Sequence, residues 1–241
     1  MTGIFLLGGD LEVRRLGFGA YRISRIPAEQ ARAVVRRAVE LGVDLIDTAD
    51  AYGDGLSEQR IAEALHPYPE GVVIHTKAGL MNDGSDWLPR NGRPEHLRRA
   101  VEGSLRRLRL DRLDAVSLHW VDPEVPIEES VGALRDLRAE GKIRHVGVSN
   151  VTLAELRRAQ AVVEIVCVQN EYNEEMRDAD DVLETCEAEG IGFMPWFPLA
   201  GVGRSPQESL RWLLDRSPVM LPIPGTSSLA HLEENMAVAS W

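Results

Sequence analysis

Cysteine is scarce in this sequence: two residues, Cys167 and Cys186, among 241. They form no Cys-x-x-Cys pair, and two thiols make no disulfide framework, so a disulfide-built scaffold and a cysteine-based zinc module are both excluded. Cys167 lies in the apolar run Ile165-Val166-Cys167-Val168 and reads as a core residue. No uninterrupted apolar run approaches the ~18 residues that would span a bilayer. Residues 1–5 lack the basic region and long apolar stretch of a secretory signal. A reducing, cytoplasmic setting is therefore expected. Positive charge is also in deficit, with 27 Lys and Arg against 38 Asp and Glu and a formal net charge of −11. Such a surface repels nucleic acid and anionic membranes and leaves a small molecule as the expected partner. The stretches Arg98-Arg99 and Arg106-Arg107-Leu108-Arg109 then read as solvated helix faces. The histidines His66, His75, His96, His119, His145 and His231 show no HxH or HExxH spacing, so no metal is expected. A glycine-rich dinucleotide fingerprint is missing too: Gly17-Phe18-Gly19 lacks the third glycine. No Pro-, Gly- or Ser-rich linker divides the chain, which predicts one domain over 1–241.

What is present is an alternation. Residues 4–7 and 11–13, separated by Gly8-Gly9-Asp10, predict an N-terminal β-hairpin. Short β-branched runs follow near 16–21, 44–48, 72–76, 114–119, 145–149, 166–170, 192–196 and 219–223. Between them, apolar positions at helical spacing predict helices near 28–41, 57–65, 94–108, 127–140, 152–160, 179–189, 206–217 and 228–239. Gly42, Gly141 and Gly190 stand as helix stops. Strict strand–helix alternation means a parallel sheet with helical crossovers. Eight units favour closure, so the predicted fold is α/β, a (β/α)8 TIM barrel with a short N-terminal β-hairpin, and the length is close to the ~250 residues typical of one.

Barrels of this kind build their sites at the C-terminal ends of the strands. Here those ends carry Asp47-Thr48-Ala49-Asp50-Ala51-Tyr52-Gly53, then His75-Thr76-Lys77, His119, Ser149-Asn150, Gln169-Asn170 and Trp196. Any one of them alone is better explained as a cap, a solvated lysine or a core histidine. Together, Tyr52, Lys77, Asp47 and His119 on three consecutive strand ends make a chemical set. A tyrosine is a poor acid at neutral pH, and a nearby ammonium favours its phenolate. An aspartate fixes that ammonium, and a neutral histidine orients a carbonyl by hydrogen bonding. The set suits proton donation to the oxygen of a carbonyl that receives hydride.

At this point the sequence resembles the aldo-keto reductase superfamily. The carrying motif is Asp47-Thr48-Ala49-Asp50-Ala51-Tyr52-Gly53, and the resemblance continues through Thr76-Lys77, Gly103-Ser104-Leu105-Arg106-Arg107-Leu108, Leu118-His119, residues 141–150, Val168-Gln169-Asn170 and Ile223-Pro224-Gly225-Thr226. It implies an NADPH-dependent oxidoreductase that reduces an aldehyde or ketone, with Asp47, Tyr52, Lys77 and His119 as the catalytic tetrad and Tyr52 as general acid. It implies that Ser149, Asn150 and Gln169 hold the nicotinamide carboxamide and that Trp196 supplies the stacking ring. Gly225, Thr226, Ser227 and Ser228, at a helix start, would suit the adenosine 2′-phosphate. Glu234 and Asn235 would approach the adenine.

Departures from the family pattern qualify what the resemblance implies. His231 stands where many members have an arginine for the 2′-phosphate, a weaker and pH-dependent anchor. Phe197 replaces a common serine. The 200–205 stretch is short and the chain ends at Trp241, which together imply a more open cofactor site. Trp120 and, in the loop after the third strand, Met81 and Trp87 are expected to wall the substrate pocket. A monomer is expected. Two other readings compete: an NADPH-binding regulatory module with little turnover, and a barrel enzyme using Lys77 as a Schiff base, which the neighbouring Asp47 opposes by keeping the lysine charged.

Overall fold

The computed structural model describes residues 3–81, 88–199 and 204–239. The chain begins with strands β1 (Ile4–Leu7) and β2 (Leu11–Arg14), an antiparallel hairpin pairing Leu7 with Leu11. Period-2 alternation turns Leu7, Leu11 and Val13 to one face, where they pack with Leu45, Val73, Ala115, Val166 and Leu221. The hairpin thus closes the N-terminal end of the barrel. An ion pair from Asp10 to Arg144 at 2.8 Å fastens it there.

The main sheet is parallel and seven-stranded: β3 (Phe18–Gly19), β4 (Leu45–Asp47), β5 (Val73–Ala78), β6 (Leu113–Leu118), β7 (Ile143–Ser149), β8 (Ile165–Gln169) and β9 (Gly192–Phe193), in sequence order. A short 3-10 helix, Arg22–Arg25, follows β3. The α-helices are α1 (Ala28–Glu40), α2 (Leu56–Leu65), α3 (Pro94–Leu108), α4 (Ile127–Ala139), α5 (Leu153–Gln160), α6 (Asp180–Glu189), α7 (Pro206–Arg216) and α8 (Leu229–Met236). These bounds lie close to the predicted ones.

The predicted eighth strand does not form a regular ladder, and the reason is chemical. Residues 219–224 bridge β9 to β3: Leu221 N–H donates to Phe193 C=O, while Pro222 and Pro224 C=O accept from Gly17 and Gly19 N–H. On the β3 side the two prolines accept but have no N–H to donate, so half of each ladder ring is lost. The barrel still closes, through one-way hydrogen bonds. The predicted strands at 16–21 and 192–196 likewise shrink to Phe18–Gly19 and Gly192–Phe193.

Strand alternation sorts side chains into two apolar compartments. Outward residues such as Ile46, Ile74, Val116 and Val168 pack beneath the helices. Inward residues fill the barrel near the hairpin. Further along the same strands the inward positions turn polar: Asp47, His75, Lys77, Ser117, Ser149 and Gln169, all buried. That change of chemistry along the barrel axis locates the site.

Candidate active site

The polar layer centres on Asp47, at the end of β4. Lys77, two residues beyond His75 on β5, points the same way because the strand period is two. Its ammonium lies 2.8 Å from Asp47 Oδ1, donates to Thr48 C=O at 2.7 Å and reaches Tyr52 Oη at 3.3 Å. Lys77 is fully buried, so its charge survives through these partners. Burial opposes the ammonium, yet Asp47 and Tyr52 outweigh it and raise its pKa. For Asp47, burial is again overcome: Lys77 and His75 hold the carboxyl down at about 2.

Tyr52 is presented by the loop between β4 and α2. Its ring stacks edge-on against His119, with centroids 5.8 Å apart, and against Tyr21 at 5.0 Å. Here the sequence expectation needs correcting. Burial outweighs the neighbouring Lys77, and the Tyr52 hydroxyl sits above, not below, its ordinary pKa. Tyr52 therefore stays protonated throughout the neutral range, and the Lys77 ammonium favours its phenolate less than burial opposes it. His119, ending β6, is driven down to about 3 by burial and by Lys77, so its imidazole is neutral, as expected. Its Nδ1 is buried and has no hydrogen-bond partner among the described residues.

These groups open on a cleft of about 620 Å³ at the C-terminal ends of the strands, inside the range of small-molecule sites. Tyr52, His119, Trp120, Ser149, Asn150 and Gln169 line it, as do Trp196 and Gly225. Asn150 Nδ2 donates to His119 C=O at 3.1 Å, and its Oδ1 accepts from the Trp196 indole at 2.8 Å. Ser149 Oγ donates to Gln169 C=O at 2.7 Å. Gln169 Nε2 donates to Asp47 Oδ1 at 2.9 Å, which ties it to the Asp47–Lys77 pair. Two rim residues, Asn150 and Phe197, hold φ of +55° and +58°. Asparagine tolerates that region; for phenylalanine it is a strain of the kind found at binding sites.

The other sequence candidates are more dispersed. Gly225 lies where a Cβ would come within 2.8 Å of Gly19 C=O, so bare backbone forms that part of the cleft wall. Ser228 caps α8 by accepting from His231 N–H at 3.4 Å, and Thr226 Oγ1 accepts from Ser228 N–H at 3.0 Å. Both hydroxyls are thus engaged in capping. Ser227 offers its C=O to Gln30 at 2.8 Å. His231 and Glu234 are exposed and Asn235 is buried. Trp120 lines the cleft as expected, Met81 does not, and Trp87 and residues 200–203 lie outside the described residues.

Sequence reasoning assigned no role to His75, whose Nδ1–H donates to Asp47 Oδ1 at 2.7 Å while Nε2 lies 2.7 Å from Ser117 Oγ. The signal was its place two residues before Lys77. It also passed over Arg22, exposed, lining the cleft and without an ion-pair or hydrogen-bond partner among the described residues. Arg107 departs from the solvated face assigned to it and donates to the buried Glu58 at 2.7 Å.

The profile of the Aldo/keto reductase family matches residues 15–207. An uncharacterized oxidoreductase of Schizosaccharomyces pombe is 41% identical over 256 residues, spanning 96% of this chain and 83% of the relative. Pyridoxine 4-dehydrogenase of Escherichia coli is 40% identical over 259 residues, spanning 95% and 90%. Among solved structures, an aldo/keto reductase of Klebsiella pneumoniae in complex with NADP and acetate superposes with a TM-score of 0.85 at 28% identity, spanning 100% of this chain and 91% of that one.

Proposed function

We propose, for a chain that belongs to the aldo/keto reductase family, that this cleft reduces an aldehyde or ketone with NADPH and that Tyr52 is the general acid. The observation that carries the reading is the contact of Tyr52 Oη with a buried, charged Lys77 at 3.3 Å, beside a neutral His119. Bound NADPH supplies the hydride. Tyr52 and His119 orient the carbonyl oxygen by donating hydrogen bonds, and Tyr52 transfers its proton to that oxygen as negative charge develops there. Lys77 stabilises the resulting phenolate, and Asp47 and Thr48 C=O keep the ammonium in place. The pairing with Asp47 keeps the lysine charged despite its burial and works against Schiff-base chemistry, which needs a neutral amine.

For the cofactor, Ser149, Asn150 and Gln169 are the candidate partners of the carboxamide and Trp196 the candidate stacking ring, all lining the cleft. The bare Gly19–Gly225 wall fits the close approach of a phosphate, and Arg22, without a hydrogen-bond or ion-pair partner among the described residues, is a candidate cation to meet a diphosphate. The α8 start at Thr226, Ser227 and Ser228 supports 2′-phosphate binding through its N–H groups, with His231 as a secondary anchor. Glu234, exposed on α8, is a candidate for the adenine. Asn235, buried beside it, is the other candidate for the adenine.

The reading is tested by titrating NADPH and NADH into the protein and following tryptophan fluorescence, then by assaying carbonyl reduction. Saturable quenching by NADPH, weaker quenching by NADH and turnover that Tyr52→Phe abolishes are expected. Binding without turnover on any carbonyl would favour a regulatory NADPH-binding module, and turnover retained by Tyr52→Phe would remove the acid role.

A further inference from the structure

A second buried charged cluster sits on the other face of β5. Thr76, between His75 and Lys77, points outward and donates to Glu58 Oε1 at 2.6 Å. Glu58, in the first turn of α2, is fully buried, and its Oε2 accepts from Arg107 Nε at 2.7 Å. Arg107 reaches it past Gly55 and Gly103, where an added Cβ would stand 2.3 and 2.8 Å from the arginine side chain. Gly55 also holds φ at +79°, so both space and backbone demand glycine there. The passage is shaped for the guanidinium.

Asp50 completes the cluster. Its N–H donates to Lys77 C=O at 3.2 Å, and its Oδ1 is buried with no hydrogen-bond partner among the described residues. Its carboxyl accepts from the Ala51 N–H and lies in the fields of Glu58 on α2, Arg107 on α3 and Lys77 on β5. The guanidinium is committed to Glu58, and among the described residues Asp50 makes no ion pair with it. A buried, unpartnered oxygen is far less costly on a neutral carboxyl than on an anion. The loop that starts at Asp50 carries Tyr52 and is closed by Ser57 N–H donating to Tyr52 C=O at 3.1 Å.

We propose, on the reading that this cleft reduces carbonyls, that Asp50 is a positioning residue that stores a proton in the Glu58–Arg107 cluster, and that its release loosens the Tyr52 loop and weakens Tyr52 as an acid. Both effects have one sign. The ionised Asp50 repels Glu58 beneath the loop, and it adds negative potential near the forming phenolate. Burial, then Glu58, push the Asp50 carboxyl up to about 7, against the pull of Arg107 and Lys77. Carbonyl reduction should therefore decline as pH rises through neutrality, with no contribution from His119.

The experiment is single-turnover reduction of 4-nitrobenzaldehyde by NADPH across the neutral range, for wild type, Asp50→Asn and Glu58→Gln. Wild type is expected to lose rate with a midpoint near neutrality. Asp50→Asn should lack that limb, and Glu58→Gln, by removing the repulsion and freeing Arg107, should move the midpoint down by about one pH unit or more. A residue of purely structural importance would lower the rate at every pH and leave the midpoint alone; that result overturns the proposal. Carbon-13 carboxyl NMR of aspartate-labelled, cofactor-free protein gives a readout without turnover. A resonance that titrates near neutrality and vanishes in Asp50→Asn supports the stored proton; titration of Asp50 in the ordinary carboxylate range refutes it. If wild type turns over no carbonyl, the reductase reading fails, and the NMR titration still decides the protonation of Asp50.

Discussion

Replacing Asp50 by asparagine should stabilise the protein at alkaline pH relative to acid pH, an unusual result for removal of a buried polar group. An aspartate ordinarily titrates near 3.8, and burial beside Glu58 pushes Asp50 up to about 7. The folded protein therefore binds this proton more tightly than the unfolded chain. Below about pH 4 both states hold the proton, and the group costs nothing. Between about pH 4 and about pH 7 only the folded state holds it, so stability falls as pH rises; above that the loss is complete. Three pH units correspond to about 4 kcal/mol, and partial exposure of the side chain reduces this to about 2 kcal/mol. For a chain of this size that is a relative change of about 4–8 °C in Tm between the two ends of the range. Asparagine carries its own cost, because the position of Oδ1 is buried with no partner among the described residues, but that cost is the same at every pH. The measurement is thermal unfolding of wild type and Asp50→Asn by circular dichroism at several pH values from about 4.5 to about 8.5. The difference in Tm should climb with pH in favour of the variant. A difference that stays constant across the series would mean that Asp50 titrates alike folded and unfolded, and the cluster would lose its proton.

Other substitutions probe the cleft directly. Tyr52→Phe should lower kcat by about 10²–10⁴-fold with the cofactor dissociation constant nearly unchanged, read by steady-state rates and fluorescence titration side by side. Lys77→Met should cost about 3–5 kcal/mol in urea unfolding, because it leaves the Asp47 carboxylate buried without its cation; a loss under about 1 kcal/mol would mean that His75 and Gln169 suffice. Arg22→Ala should weaken NADPH binding by about tenfold or more through loss of a charge-assisted contact, and the effect should shrink at high salt; unaltered affinity would take Arg22 out of the cofactor site.

Legibility in the sequence followed the range of the physics. The helices were readable because their apolar faces repeat within each segment, and Asp47, Lys77 and His119 because polar residues at the ends of apolar strands stand out just as locally, whereas His75 was passed over. The eighth strand was misread because 219–223 has the apolar pattern of a strand while Pro222 and Pro224 remove the N–H groups a ladder needs. The sign of the Tyr52 shift was missed because burial is a property of the assembled barrel, and here it outweighs the lysine. Arg107 was read as solvated because it sits among Arg106 and Arg109; nothing nearby in sequence shows that Glu58, 49 residues away, waits beneath it.

Strand β5 explains why two charged clusters lie back to back. On one strand, inward His75 and Lys77 both bond to Asp47, and Thr76 between them points out to the helices. A lysine that must be placed within about 0.5 Å needs support on both sides of its backbone. Inside, Asp47 and Thr48 C=O hold the ammonium. Outside, the Thr76–Glu58–Arg107 chain ties the strand to α2 and α3, and Asp50 N–H ties the Tyr52 loop to the Lys77 carbonyl. The distance from Lys77 to Tyr52, 3.3 Å, is thus bracketed by two networks that share no side chain. Independent networks should act additively when they only add rigidity. A double-mutant cycle between Glu58→Gln and Asp47→Asn, read in the single-turnover rate, should instead show coupling, because both act on the one Lys77–Tyr52 contact; strict additivity would mean that the outer cluster supports the fold and not the reaction.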